Sequence, residues 1–292
     1  MAGAQSRVVE IGTWPPADAD RALALEALER GEVALLPTLG FALEPAERVL
    51  LDPSISDGRA KNVSLDPATG RMGGARLEGE RLALARAMMG RFADWSLQVV
   101  KTLLPRYAGQ VQRARTSFRP CEVEDRPQSP RKDDRRLHVD AFPSQPVQGR
   151  RILRLFANID PEGRPRVWRV GEPFEAFAAG FAPKLSAAPP GEALALRALG
   201  LTKGRRTAYD HAMLGLHDRA KEDDAWQASA PREEARFAAG STWIVFTDAT
   251  LHAAIAGQHA LEQTFLLPVA SMAEPERAPL RVLERLLGRG LV

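Results

Sequence analysis

Between residues 135 and 269 the chain carries five short runs of β-branched and aromatic residues bounded by proline and glycine. They are RRLHVDAF (135–142), RILRLFANI (151–159), RPRVWRV (164–170), STWIVFTD (241–248) and EQTFLLPV (262–269). Runs of this length and composition predict strands. Several short strands with helices around them predict an α+β chain on a jelly roll or cupin-like barrel.

The first hundred or so residues (1–110) read mainly as a helical flank. Asp18 to Arg30 is rich in Ala, Leu and Glu, and Glu80 to Leu104 carries Leu82, Ala85, Met89 and Phe92 at helical spacing, a stripe expected to pack in the core. Pro53 to Gly79 lacks periodicity and reads as loop and turn. A barrel over 111–270 is expected to hold a helical insertion, Glu172 to Ala238, interrupted by the Pro/Ala-rich stretch Ala182 to Gly191. The last part, 271–292, reads as an amphipathic helix with Arg277, Arg281, Arg285 and Arg289 in one stripe. At 292 residues, one elaborated domain spanning 1–292 is the expectation.

A single cysteine, Cys121, excludes an internal disulfide and a Cys-rich zinc or iron–sulfur site. There is no apolar leader and no apolar run of spanning length, so a cytoplasmic protein is expected. Forty Lys and Arg stand against 37 Asp and Glu, a balance that suggests anionic ligands without naming them. The motifs of P-loop, dinucleotide-binding, HExxH and GxSxG proteins are all missing.

In a strand, residues two apart share a face, so His138 and Asp140 project together while Leu137, Val139 and Ala141 face the other way. One imidazole and one carboxylate so placed can chelate a divalent ion, and a third ligand from another strand leaves half of an octahedron open. Four histidines compete for that place. His211 and His217 lie six residues apart in one expected helix and cannot share a face. His252 follows STWIVFTD by a short turn and is favoured over His259, which lies in a looser stretch. By itself His-x-Asp is a weak signal, and a surface strand with a hydrogen-bonded histidine stays open beside the metal.

The residues around these positions carry more. RKDDRRLHVDAFPSQPVQGRRILRLFANIDPEGRPRVWRVGEPFE, followed by FAAGSTWIVFTDATLHAAIAGQHALEQTFLLP, resembles the Kdo 3-hydroxylases, enzymes of an acidic lipopolysaccharide sugar, 3-deoxy-D-manno-oct-2-ulosonic acid. The resemblance covers about Arg115 to Pro268 and is most specific around HVDAFPS and ALEQTF. It implies a double-stranded β-helix, His138, Asp140 and His252 as ligands of Fe(II), and 2-oxoglutarate and O₂ as cosubstrates. It further implies a Kdo-bearing lipid A precursor as the molecule hydroxylated, at C3, with no catalytic residue beyond the metal ligands.

The far carboxylate of 2-oxoglutarate calls for a cation. Many relatives place an arginine shortly after the distal histidine, but here the stretch holds Gln263 and Thr264 instead. Arg154, on the strand face shared by Ile152, Phe156 and Asn158, is the expected anchor, assisted by Thr264 or Gln263; an ordinary solvent-facing arginine is the competing reading. The loop through Arg119, Arg126, Arg131 and Lys132 is a candidate substrate clamp, or a solvated loop whose cations are cancelled by Glu122, Glu124, Asp125, Asp133 and Asp134. The terminal arginine stripe either faces water or touches the inner membrane. Two other classes stay open: a metal-dependent cupin enzyme acting on another acidic small molecule without 2-oxoglutarate, and a basic non-enzymatic binding protein. Nucleic acid is not expected as a partner, because the cations are dispersed and no nucleic-acid-binding motif is present.

Overall fold

The chain winds back and forth between two facing sheets, antiparallel except where β1 pairs with β2 in parallel. The computed structural model describes residues 6–123 and 129–292. Strand β1 (Val8–Glu10), helix α1 (Asp18–Glu29) and β2 (Val33–Leu36) come first, followed by β3 (Val63–Leu65), β4 (Met72–Gly73) and the long helix α2 (Gly79–Leu103). Next are β5 (Gln112–Arg119), β6 (Arg151–Asn158) and β7 (Arg166–Gly171), then helices α3 (Phe174–Phe181), α4 (Glu192–Ala198), α5 (Ala208–Glu222) and α6 (Asp224–Ser229). Strands β8 (Arg232–Phe237), β9 (Thr242–Phe246), β10 (His252–Ala256) and β11 (Ala260–Leu267) and helix α7 (Pro279–Leu287) complete the order.

The large sheet runs β1-β2-β9-β6-β11-β5-β3-β4, and the small one runs β10-β7-β8. A bridge between His138 and His252 adds a fourth, one-residue member beside β10. From β5 onward the chain passes to the His138 segment, back to β6, across to β7 and β8, back to β9, across to β10 and back to β11. This alternation is the winding of a jelly roll.

Aromatic side chains of β6, β7, β8 and β9 pack into one buried cluster. Trp243 lies flat between Phe237 at 4.1 Å and Phe156 at 5.2 Å, and Trp168 meets Phe156 edge-on at 4.9 Å. Outside the large sheet, α2 buries Ala85, Met89 and Phe92, so the predicted stripe is core. Another internal tie is ionic: Arg151 grips Asp248 with Nε and Nη2 at 2.7 and 3.1 Å, and both side chains are 1 % exposed.

Three local expectations are corrected. The end of the expected helical insertion is strand β8, because REEARF alternates, sending Ala235 and Phe237 into the core while Glu234 and Arg236 stay out. Pro53 to Gly79 is not all loop, since Val63 and Leu65 are buried and pair β3 with β5. RRLHVDAF forms only the single bridge at His138, because Asp140 donates its amide to Thr247 beyond the end of β9.

Candidate metal centre and its cavity

His138 and His252 face each other across the small sheet, each donating its backbone amide to the other's carbonyl, at 3.1 and 2.9 Å. Two residues on, the Asp140 amide donates to the Thr247 carbonyl at 2.8 Å, which turns its carboxylate to the same side as His138. Leu137 and Val139, on the opposite side, are buried at 1 % and 0 % exposure, so the alternation holds for these two, whereas Ala141, expected to face away with them, lines the cavity because the chain turns into a loop after Asp140. Ligand atoms of His138, Asp140 and His252 all lie within 4.8 Å of one another, and this is the metal-type cluster found among the described residues.

The donor set is prepared for a cation. His138 Nδ1 contacts the Arg136 carbonyl and His252 Nδ1 the Thr250 carbonyl, each at 2.8 Å. A carbonyl only accepts, so each Nδ1 carries the hydrogen and each Nε2 presents its lone pair. Burial pushes both imidazoles below their ordinary pKa, His138 well below it with Lys221 and His252 adding to the effect, which keeps them neutral. Burial would raise the Asp140 carboxyl, yet the Arg154 guanidinium beside it holds it far below the usual carboxylate range. Asp140 Oδ2 is buried and meets Arg154 Nη1 at 3.2 Å as an ion pair without hydrogen-bond geometry. Two neutral imidazoles and one buried carboxylate suit a hard-to-borderline divalent metal such as Fe(II).

The cluster forms the floor of a cavity of about 430 Å³. Alternate residues of the barrel strands make its walls: Arg115, Ser117 and Arg119 of β5, Arg154 and Phe156 of β6, Arg166 and Trp168 of β7, Glu262 and Thr264 of β11. Trp168 stacks on the His252 ring at 5.1 Å, holding the ligand from behind. His217 of α5 stands edge-on to His138 at 5.4 Å but lies outside the ligand group.

Arg154 does reach inward, with Nη1 3.2 Å from Asp140 and 3.3 Å from Glu262. Thr264, its cross-strand partner, lines the cavity beside it. Gln263 does not. Adjacent strand residues face opposite ways, and Gln263 instead accepts from Thr116 Oγ1 at 2.6 Å and donates to the Ala114 carbonyl at 3.1 Å. Arg119 lines the inner wall, held by Asp134 at 2.9 Å and Asn62 at 3.1 Å. Arg131 is at the rim, tied to Glu222 at 2.6 Å and Asp218 at 3.3 Å, with exposed Lys132 next to it. Arg126 lies outside the described residues. His259 is elsewhere, between Asp160 and the Leu51 carbonyl.

Sequence reasoning passed over three wall residues. Arg166 is 4 % exposed, and burial, with Arg119 nearby, pushes its guanidinium down to about 9. Its hydrogen bond goes to the Gly257 carbonyl at 2.6 Å, and among the described residues no carboxylate pairs with it. Gly257 has φ +109°, and a Cβ there would press on Arg166 and Pro165 at 3.0 Å, so the close approach requires glycine. Trp168 Nε1, also in the wall, is buried without a partner. Lys221 is 1 % exposed with Nζ 3.8 Å from Asp134, and burial lowers it to about 8.

Residues 13–290 match the family model described as 3-deoxy-D-manno-oct-2-ulosonic acid (Kdo) hydroxylase. A crystal structure of the Kdo hydroxylase KdoO with cobalt(II) is 44% identical, superposes with a TM-score of 0.94, and is covered over 98% of both chains. KdoO with α-ketoglutarate and Fe(III) is 43% identical at the same TM-score, over 99% of this chain and 98% of that one. KdoO with succinate and Fe(III) gives 43% and 0.93, over 98% of both. No curated protein sequence matches.

Proposed function

Because this chain belongs to the Kdo hydroxylase family of Fe(II)- and 2-oxoglutarate-dependent dioxygenases, we propose that it places a hydroxyl at C3 of a Kdo residue carried on a lipid A precursor. The observation that carries the metal chemistry is the pair of histidines whose Nδ1 atoms are both satisfied by backbone carbonyls, leaving two Nε2 atoms and the Asp140 carboxylate facing one cavity. Carbon 3 follows from the sugar's own structure. In a 3-deoxy-2-ulosonic acid it is the carbon that bears hydrogen but no oxygen. Hydroxylation there gives a stable alcohol, whereas hydroxylation of a carbinol carbon gives a hydrate that collapses to a carbonyl.

His138, Asp140 and His252 would hold the iron, which with 2-oxoglutarate and O₂ supplies the oxidising power, releasing succinate and CO₂ as one oxygen atom enters the sugar. The remaining residues bind and orient. Arg166, a buried cation with no acid partner among the described residues, and the unpartnered Trp168 Nε1 suit the far carboxylate of 2-oxoglutarate. Arg154 and Thr264 complete that wall, and Arg154 also steadies Asp140. Phe156 and Trp168 keep the inner end apolar. The cations proposed for the sugar's carboxylate are Arg119 on the cavity wall and Arg131 and Lys132 at its rim. No side chain is required as a nucleophile.

The described residues include no helix long and apolar enough to cross a membrane. A lipid-borne acceptor then implies peripheral contact, which we place at the cytoplasmic face of the inner membrane.

Arg166→Ala is expected to raise the 2-oxoglutarate KM about 30-fold or more, since losing one partner of a buried charged contact costs about 2 kcal/mol at least. It should also remove the thermal stabilisation that 2-oxoglutarate gives the iron-loaded protein. Arg154→Ala should raise the KM as well, and an unchanged value in either variant removes that residue from the anchor. For the position of attack, an acceptor deuterated at C3 of Kdo should lose one deuterium and show its new hydroxyl at C3 by NMR. Retention of both deuterium atoms in a hydroxylated product would overturn the assignment.

A further inference from the structure

Seven large hydrophobic side chains are prominently exposed among the described residues, and three of them fall within eight positions: Leu194, Leu199 and Leu201, at 64, 73 and 58 %. They occupy α4 and the turn after it. Arg197, Lys203 and Arg205 are exposed in the same stretch, and Arg206 is partly so. Between residues 191 and 206 the one acid is Glu192, which lies 3.9 Å from Arg206 and 3.4 Å from His211. Arg197 and Arg205 have no acid partner among the described residues.

This stretch is fastened to the entrance of the metal cavity. The Lys203 amide donates to the Ser144 carbonyl at 2.8 Å, Arg206 Nη2 to the Pro143 carbonyl at 2.9 Å, and Gln148 Nε2 to the Arg205 carbonyl at 3.0 Å. The loop so held leaves Asp140 directly, and its Ala141 to Gln145 portion lines the cavity. Lys203 and Gly204 line a second hollow of about 320 Å³ that shares Ala114, Arg115, Phe142 and Gln145 with the first. The stretch that carries the exposed leucines is therefore joined to the rim of two adjoining hollows whose linings hold more cations than acids, Lys203 being paired with Asp66 at 3.3 Å.

We propose that residues 191–206 form the surface by which this protein docks on an anionic lipid bilayer, bringing the metal cavity to a lipid-borne acceptor. The inference rests on the reading that the acceptor is lipid-borne. Leucines gain by entering the acyl boundary, and unpaired guanidinium groups next to them gain from anionic headgroups. Around helix α7, the place the sequence suggests, Leu280, Val282 and Leu283 are buried and Arg277, Arg281 and Arg285 are paired with Glu274, Glu284 and Glu276, so Leu286, Val292 and Arg289 make a smaller and less charged surface than residues 191–206.

The test is flotation with vesicles of phosphatidylglycerol and phosphatidylethanolamine that contain no acceptor. The full chain should float with them. Leu194→Ser/Leu199→Ser/Leu201→Ser should lose about tenfold or more of that binding. Arg197→Gln/Arg205→Gln should weaken it and blunt its salt dependence, and Arg281→Gln/Arg285→Gln should leave it unchanged. The triple variant should still hydroxylate a deacylated, water-soluble Kdo glycoside at the unaltered rate, which separates docking from folding. Independently, the added fluorescence of a Leu199→Trp variant should be quenched by brominated lipid. A triple variant that floats like the parent, or a Leu199→Trp variant whose emission vesicles do not alter, would overturn the proposal. Failure of the parent protein to hydroxylate a lipid-borne acceptor would instead contradict the acceptor reading, whatever the vesicles report.

Discussion

Asp140→Ala is expected to lower hydroxylation on the order of 1,000-fold or more, the effect of losing about 4 kcal/mol of transition-state stabilisation. The carboxylate is the anion among the three metal-facing side chains, and Arg154 presses a positive charge on the same spot at 3.2 Å. Without Asp140 that guanidinium would face the incoming cation with Glu262 as its remaining partner, so metal affinity should fall together with turnover. The backbone hydrogen bond from residue 140 to Thr247 survives the change, and the fold should persist. Iron titration of the variant and its turnover under saturating 2-oxoglutarate check both halves. Iron bound as tightly as in the parent would contradict the role given to this carboxylate.

Arg151→Ala should be the most destabilising single change away from the cavity. Arg151 and Asp248 are both 1 % exposed, their two contacts are 2.7 and 3.1 Å, and the guanidinium also lies 3.9 Å over the Phe246 ring. Burial already raises the Asp248 carboxyl despite Arg151. Removing the cation would strand the carboxylate inside the protein, at a cost of about 3–5 kcal/mol. For a chain of this size that corresponds to a Tm lower by roughly 5–8 °C. The double variant Arg151→Met/Asp248→Leu should recover most of the loss, because it removes both desolvation penalties at once. A double variant as unstable as the single would show that the pair contributes more than charge balance. Differential scanning calorimetry of the three proteins decides this.

How much of this was legible beforehand depended on which physical constraint each residue obeyed. His138 and Asp140 were readable because period-two alternation fixes which side chains travel together, whatever the strand's neighbours are. The same rule could have ranked Gln263 against Thr264, since adjacent strand residues cannot both face inward; it needed the register of β11 against β6, where Thr264 opposes Arg154, to say which one does. Arg166 and Trp168 alternate in RPRVWRV as plainly as His138 and Asp140 do, yet which face of β7 looks into the barrel is set by its pairing with β8 and β10. His217 and Lys221 are four apart on α5 and share its cavity side, a spacing hidden when His217 is compared with His211 alone. Strand β8 was missed because its Glu and Arg residues suit a helix, and the burial of Ala235 and Phe237 against Trp243 overrides that preference.

The account's central claim is that the His138–Asp140–His252 cavity inserts one atom of O₂ into Kdo at the expense of 2-oxoglutarate. The direct measurement is product mass and succinate yield after single turnover with Fe(II), 2-oxoglutarate and a Kdo-bearing lipid A precursor under ¹⁸O₂. The account predicts one ¹⁸O atom in the sugar and one succinate per hydroxylated product, with neither formed when 2-oxoglutarate is withheld. Succinate released with no oxygen in the sugar, or an oxygenated sugar formed without 2-oxoglutarate, would contradict it.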